Sequence, residues 1–416
     1  LLLEPTIVFI CIFVPICSPQ EHLNNDFVWK FETTQNLQRQ FMTDLYNASA
    51  SLSLYPNSLE PYTKIQGLLE SHCQRVFNDT CQWHFSPPFN GTQVDQRASK
   101  EREGANRANA VILYICCADE QEFGDLLWSL KFLDLNFNDF FSYPIFIFHD
   151  NLSPAQISTV RQSTRSEVSI HRVELFAPTF LSPRQKPSWF AGYSLGFRNM
   201  IHFFTMQLAD HPALRSYDYF WRIDSDCFLI GRVWTDPFHF LDRQNFKYGF
   251  VSTSREPDQL TEGLWDLVER FRLIQGIPPS SWMRFRWSGF VFSTSSVVSR
   301  LDFWRLPQVR QYLQQVDRAG GIYEHRWSDA AIQTLAASLY LAPQELVQLI
   351  FIPTWHRNHA LLPQPWVDDE SRLPDGFPRR RAGGAREGGR SGDSAAARQS
   401  SGPGAPKSPS RTRNEL

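Results

Sequence analysis

No stretch of this 416-residue chain supplies the ~20 consecutive apolar residues that a bilayer-spanning helix needs. The chain does open on an apolar run, but Thr6 to Ser18 is only thirteen residues, and Pro15 falls within it. Residues 1–18 therefore read as a cleaved signal or as a truncated single-pass type II anchor. Cysteine is sparse, seven in all, and none has the paired spacing of a structural zinc site. Cys116, Cys117 and Cys227 are expected to be packing residues, whereas Cys73 and Cys81 are placed to form a disulfide in an oxidising lumen. An excess of positive charge is also missing. The formal net charge is −2, and nine Lys/Arg against three Asp/Glu from Arg379 onward leave the rest at about −8. A mildly acidic body excludes nucleic acid as the expected partner. From about Pro374 apolar residues nearly vanish, so residues 371–416 read as a basic tail that cannot bury enough surface to fold. No internal repeat is visible.

What the chain does have is aromatic surface: 14% Phe, Tyr and Trp, including 34 Phe and 13 Trp, which suits a folded enzyme or a carbohydrate binder. It also has four glycosylation sequons, at Asn47, Asn78, Asn90 and Asn151, three of them before residue 100. Together with Cys73 and Cys81 they point to the secretory route. Residues 19–105 read as a stem or an N-terminal glycosylated subdomain, with one helix near Tyr62 to Phe77.

From Ala108 the pattern changes. Ala108-Asn-Ala-Val-Ile-Leu-Tyr-Ile-Cys-Cys117 is a continuous apolar run, typical of a strand buried on both faces. A helical pattern follows from Glu120 to Phe137, then a second buried strand at Pro144 to His149 and a helix opening at Ser153-Pro154. A third strand near Glu167 to Leu175 and a long helix from Ser194 to Ala209 complete the first half. Later elements are strands at Lys247 to Val251, near Phe290 and at Leu349 to Ile352, with helices at Leu260 to Ile274 and Asp329 to Tyr340. Such alternation predicts an α/β domain over 106–370 with a mostly parallel central sheet flanked by helices.

One segment carries the chemistry. Tyr219-Phe-Trp-Arg-Ile223 reads as a buried strand, and it ends in Asp224-Ser-Asp226. Residues i and i+2 share a face, so two carboxylates meet at the carboxyl end of a strand. They repel unless a cation lies between them, and hard divalent ions such as Mn²⁺ prefer oxygen ligands shared with phosphates. Carboxyl ends of strands are also where α/β sheets bind ligands. Asp224 and Asp226 are thus the expected seat of a metal and a nucleotide diphosphate, with ordinary turn chemistry as the bland alternative.

The region Arg107 to His359 resembles the fungal α-1,2-mannosyltransferases of glycosyltransferase family 15, the glycolipid 2-alpha-mannosyltransferases. The resemblance rests on segments in order: Arg107-Ala-Asn-Ala110, Tyr143-Pro-Ile-Phe-Ile-Phe-His-Asp150, Gly196-Phe-Arg-Asn-Met200, Tyr219-Phe-Trp-Arg-Ile-Asp224, Arg286-Trp-Ser-Gly-Phe290 and Gly320-Gly-Ile-Tyr-Glu-His-Arg-Trp-Ser-Asp-Ala330. It implies a GT-A nucleotide-sugar-binding fold, a GDP-mannose donor, a mannose-terminated glycan acceptor, Mn²⁺, retention of configuration and a luminal catalytic domain at the Golgi membrane. Asp224 takes the place of the metal-binding acid, and His356 that of a late metal-ligand His, with His359 as the alternative. Phe197 stands where the family has a site Tyr, and Arg198 is retained beside it. Arg222, Trp287 and Asp329 are implied to line the catalytic and acceptor side. The chain departs from the family at Val291, where the family carries a Glu proposed as nucleophile. Either transfer then proceeds on the front face of the sugar, or another carboxylate substitutes, or activity is lost.

Each of these residues has an ordinary reading too. Arg222 either neutralises phosphate or pairs with Asp224. Asp329 either orients and deprotonates an acceptor hydroxyl or caps its helix. Trp287 is a sugar platform or a core residue. His356 ligates metal or is merely hydrogen-bonded, and His325, in the polar cluster Glu324-His325-Arg326, belongs to a solvated loop. The expected function is a metal-dependent mannosyltransferase. The alternatives are the same fold with another nucleotide sugar, and a non-catalytic luminal glycan-binding protein.

Overall fold

The computed structural model describes residues 25–54, 58–86, 107–182, 189–190, 193–280, 282–283 and 287–363. The N-terminal apolar run, Asn90 and the basic tail lie outside them. Among the described residues no helix is long and apolar enough to cross a membrane.

The centre is a seven-stranded sheet. Its strands in chain order are β2 (Ala110–Cys116), β3 (Ile145–His149), β4 (Val168–Arg172), β7 (Tyr219–Ile223), β9 (Tyr248–Phe250), β12 (Ser296–Arg300) and β13 (Leu346–Gln348). They lie side by side in the order β13-β9-β12-β7-β2-β3-β4. Every neighbouring pair is parallel except those of β12, which runs against both β7 and β9. β2, β3 and β7 are buried at every position because the sheet is covered on both faces. One face packs Val111, Leu113, Phe148 and Phe220 against the helices Leu264–Ile274, Pro307–Ala319 and Asp329–Tyr340. The other packs Ile112, Ile147 and Trp221 against the helix Glu120–Leu133. Asp119 caps that helix by accepting the Gln121 and Glu122 amides, and Ser153 caps Pro154–Ser163 through a capping box with Gln156.

A second sheet has the order β1-β15-β14-β8, from β1 (Gln82–Ser86), β8 (Cys227–Leu229), β14 (Thr354–His356) and β15 (His359–Pro363), while β5 (Trp189–Phe190) and β6 (Tyr193–Ser194) form a separate pair. The chain passes from β7 in the main sheet to β8 in this one through Asp224-Ser225-Asp226, so the acidic pair sits at the seam between the sheets. The turn is pinned at both ends: the Asp224 amide donates to the Ser295 carbonyl at 2.9 Å, and the Cys227 amide to the Asp224 carbonyl at 2.9 Å.

Two expectations need correction. The N-terminal region, expected to hold one helix, carries a helix at Asn25–Leu54 as well as the one at Leu59–Phe77, and both pack on the second sheet. Leu45, Leu52, Ile65 and Leu69 close over Phe228, Ile230, Trp355 and Leu362. Each such side chain contributes roughly 1.5–3 kcal/mol when fully buried. The expected Cys73–Cys81 disulfide is present at the end of this helical pair. The other correction concerns Leu349 to Ile352, which is a turn and not a strand. Leu349 and Ile352 are fully buried, and the Ile352 amide donates back to the Leu349 carbonyl at 3.2 Å. The apolar run reflects burial; the strand lies just before it, at β13.

Candidate active site

β7 delivers Arg222 and, one residue past its end, Asp224. Arg222 is only 2% exposed, and its guanidinium lies 3.6 Å from the centroid of the Phe204 ring. Its Nε donates to Asp224 Oδ1 at 2.9 Å, and its Nη1 donates to Asp329 Oδ2. One arginine thus holds two carboxylates that are 105 positions apart in sequence. Asp329 starts the helix Asp329–Tyr340, but Ser328 is the N-cap, accepting the Ala331 amide. Capping is therefore not the role of Asp329, and its carboxylate is left for Arg222.

β14 brings the third member. His356 pairs in register with Cys227, which places its ring beside Asp226. His356 Nε2 lies 3.2 Å from Asp226 Oδ1, and Arg357 Nε lies 3.5 Å from Oδ2. Asp224, Asp226 and His356 each present a ligand atom, all within 4.8 Å of one another. Two hard carboxylates and one imidazole suit Mn²⁺. His359, the alternative ligand, is outside this cluster, with its ring stacked on His84 at a centroid distance of 6.2 Å.

The protonation equilibria differ within the cluster. Burial pushes the Asp224 carboxyl up, and the Arg222 guanidinium only partly offsets it. Burial also works against the charge on Asp226, but His356 and then Arg357 outweigh it and hold the carboxyl well below the usual range. Asp329 is likewise held low: burial raises it, but the charge and hydrogen bond of Arg222 and a hydrogen bond from Thr294 prevail. It stays ionised, so it is a weak proton acceptor.

A family profile described as glycolipid 2-alpha-mannosyltransferase matches residues 88–361. The chain belongs to this family. It is 31% identical to the probable mannosyltransferase KTR3 of Saccharomyces cerevisiae over 164 residues, 37% of this chain and 41% of the relative, so the match spans less than half of that protein. It is 23% identical to the O-glycoside alpha-1,2-mannosyltransferase omh1 of Schizosaccharomyces pombe over 308 residues, 68% of this chain and 77% of the relative. Its fold is shared with the mannosyltransferase Ktr4p of S. cerevisiae in complex with GDP, with a TM-score of 0.59 at 18% identity over 73% of this chain and 89% of that one. Core-mannan synthase A from Aspergillus fumigatus in its Mn/GDP form gives 0.56 at 22% identity over 61% of this chain and 77% of that one. These likenesses establish the GT-A fold expected from the sequence.

The remaining expected residues divide. Phe197 and Arg198 lie on the helix Leu195–His202. The Arg326 guanidinium sits 5.2 Å from the Phe197 ring centroid. Arg198 is fully buried, and burial together with the nearby Arg326 charge lowers it to about 10. Both belong to the Arg326 side of the site and not to the metal cluster. Trp287 is 7% exposed and part of the main core; its indole N–H donates to the Phe290 carbonyl at 2.6 Å. Val291, on β11 (Phe290–Phe292), is buried opposite Ser254 of β10 (Thr253–Arg255), so no carboxylate occupies that position.

Sequence reasoning did not find the Arg326–Glu256 ion pair, 2.9 Å and nearly buried on both sides, nor the contact of Arg357 with Asp226. Arg326 was legible only as part of a polar cluster. Its burial comes from Phe197 and Glu256, which are remote in sequence. His325 does keep partial exposure, stacked on Trp327 at 6.1 Å.

Proposed function

We propose that this chain is a Mn²⁺-dependent α-1,2-mannosyltransferase that moves mannose from GDP-mannose to a mannose-terminated glycan with retention of configuration. The convergence of Asp224, Asp226 and His356 at the carboxyl edge of β7 carries the reading. Asp329, Arg222, Phe197, Arg198 and Trp287 are assigned to the surrounding donor and acceptor walls. Mn²⁺ at the cluster would supply Lewis-acid neutralisation of the charge that develops on the diphosphate.

The chain's own groups do the rest. Arg222 fixes the orientation of Asp224 and Asp329 at once. Asp329, ionised and immobile, accepts a hydrogen bond from the acceptor hydroxyl and aims it, without removing its proton. Because Val291 offers no nucleophile, the acceptor oxygen bonds to the sugar C1 on the face the donor leaves. The breaking C1–O bond gives its electron pair to the β-phosphate oxygen of GDP, which also takes the hydroxyl proton.

We place this activity in the Golgi lumen. The Cys73–Cys81 disulfide and the exposed sequon asparagines Asn47, Asn78 and Asn151 support a luminal protein. Incubation of the chain with GDP-mannose, Mn²⁺ and methyl α-mannoside should yield an α-1,2-linked disaccharide, and Asp224→Ala/Asp226→Ala should abolish it. Val291 favours one rival, a non-catalytic glycan-binding protein. Glycan binding with neither product nor nucleotide-sugar binding would establish that rival instead.

A further inference from the structure

His356 pairs with His359 across the β14–β15 hairpin, which leaves a two-residue loop, Arg357-Asn358. Arg357 has φ +54°, in the left-handed region. Tight hairpin loops that need a positive φ at their first position normally use Gly or Asn there, and arginine is a strained choice. The strained backbone is tied down on both sides. The Trp355 indole donates to the Arg357 carbonyl at 2.6 Å, and the Gln82 amide of β1 donates to the Asn358 carbonyl at 2.6 Å. A side chain launched from so fixed a point has a restricted direction, and this one runs to Asp226, with its Nε 3.5 Å from Oδ2. It remains half exposed. Strain retained beside a cluster of ligand atoms is a reason to look for function.

We infer that Arg357 is a leaving-group residue: its guanidinium pairs with the diphosphate of the departing nucleoside diphosphate. This rests on the proposed function. Asp226 turns Oδ1 toward His356 and Oδ2 toward Arg357, so a divalent ion on this carboxylate would take over part of the charge that Arg357 otherwise balances. Asp224, Asp226 and His356 would hold the ion, and the guanidinium, already beside Asp226, would then be able to pair with an anion there. Diphosphate oxygens would come to the same place, because hard divalent ions are commonly shared between carboxylates and phosphates. Arginine's planar fork matches two phosphate oxygens at once, and its charge persists at any working pH. Arg357 thus pairs with Asp226 and would turn to the phosphate in the donor complex. It would stabilise the electron pair left on the β-phosphate oxygen as the C1–O bond breaks.

Calorimetric titration of the full chain with Mn²⁺ alone, and with GDP at saturating Mn²⁺, tests this. Arg357→Ala and Arg357→Gly should each weaken GDP binding about 10-fold or more, the usual worth of a charge-assisted hydrogen bond. Arg357→Lys should recover part of it, and Mn²⁺ alone should bind as well or better. Arg357→Gly also relieves the backbone, so an undiminished Tm in that variant shows that lost affinity is not misfolding. GDP affinity within twofold of the unaltered chain in all three variants, with tighter Mn²⁺, would overturn the inference and leave Arg357 as a counter-charge for Asp226. Failure of the unaltered chain itself to bind GDP would overturn the proposed function along with it.

Discussion

Arg222 and Asp329 form a buried ion pair that joins the middle of the central sheet to the first turn of the helix behind it, and the same guanidinium holds Asp224. Removing one partner of a buried pair strands the others without water or counter-charge. Arg222→Met should therefore cost about 3–5 kcal/mol by denaturant unfolding, and abolish transfer as well. Asp329→Asn keeps the shape and separates the two effects. Because the Asp329 carboxyl is held low in the fold, its contribution is present above the unfolded value of ~3.9 and is lost as pH falls through the folded one. The Asn variant should show a shallower loss of stability below pH ~4. Equal acid sensitivity in the two proteins would contradict the pairing.

The metal cluster makes a separate prediction. His356→Ala removes a candidate ligand 3.2 Å from Asp226, and the thermal shift caused by Mn²⁺ should shrink accordingly. Loss of such a ligand should weaken affinity at least about 10-fold, by analogy with the 10–100-fold cost of outer-shell changes. His359→Ala should leave Mn²⁺ affinity as it was, since that ring is stacked on His84 and outside the cluster. The reverse pattern would move the site.

These contrasts show which parts of the site were legible in sequence. β7 and its acidic end could be read because the signal is local: five buried residues followed at once by Asp224 and Asp226. The parallel core strands were readable for the same reason. The partnership of Arg222 with Asp329 was not, because it depends on a helix that begins 107 residues later. The helix at Asn25–Leu54 was missed although it carries a stripe at Phe41, Leu45, Ala48 and Leu52, all facing the second sheet. Its polar composition masked the period. Arg326 and Arg357 were invisible in another way, since burial and a positive φ are properties of the surroundings.

A half-buried carboxyl, that of Asp125, gives the stability a second pH dependence. Burial pushes Asp125 up to about 7, with Asp226 and Asp119 adding to the rise and a hydrogen bond from Gln121 opposing it. The folded chain then holds this proton more tightly than the unfolded chain does. The contribution is complete below the unfolded value of ~3.9 and declines as pH rises toward 7. Without Mn²⁺, Asp125→Asn should match the unaltered chain at pH 4 and exceed it in stability at pH 8. A gap of the same size at both pH values would mean that Asp125 is not protonated in the fold.

The loop that delivers Asp329 depends on Gly321. A Cβ built there would run into the six-membered part of the Trp327 indole, well inside van der Waals contact. Trp327 cannot easily give way: it is 3% exposed, its indole N–H donates to the Glu262 carbonyl at 2.8 Å, and its amide donates to the Gly321 carbonyl at 3.1 Å. Gly321→Ala must therefore shift Trp327 or the backbone around it, two residues before Asp329. Overpacking of this kind costs about 1–3 kcal/mol. Because the displaced segment also carries Arg326, kcat should fall with stability while Mn²⁺ affinity, set on the other side of Arg222, stays within twofold. A Gly321→Ala protein with unchanged Tm and unchanged kcat would show that the indole can move freely, and that the loop does not fix Asp329.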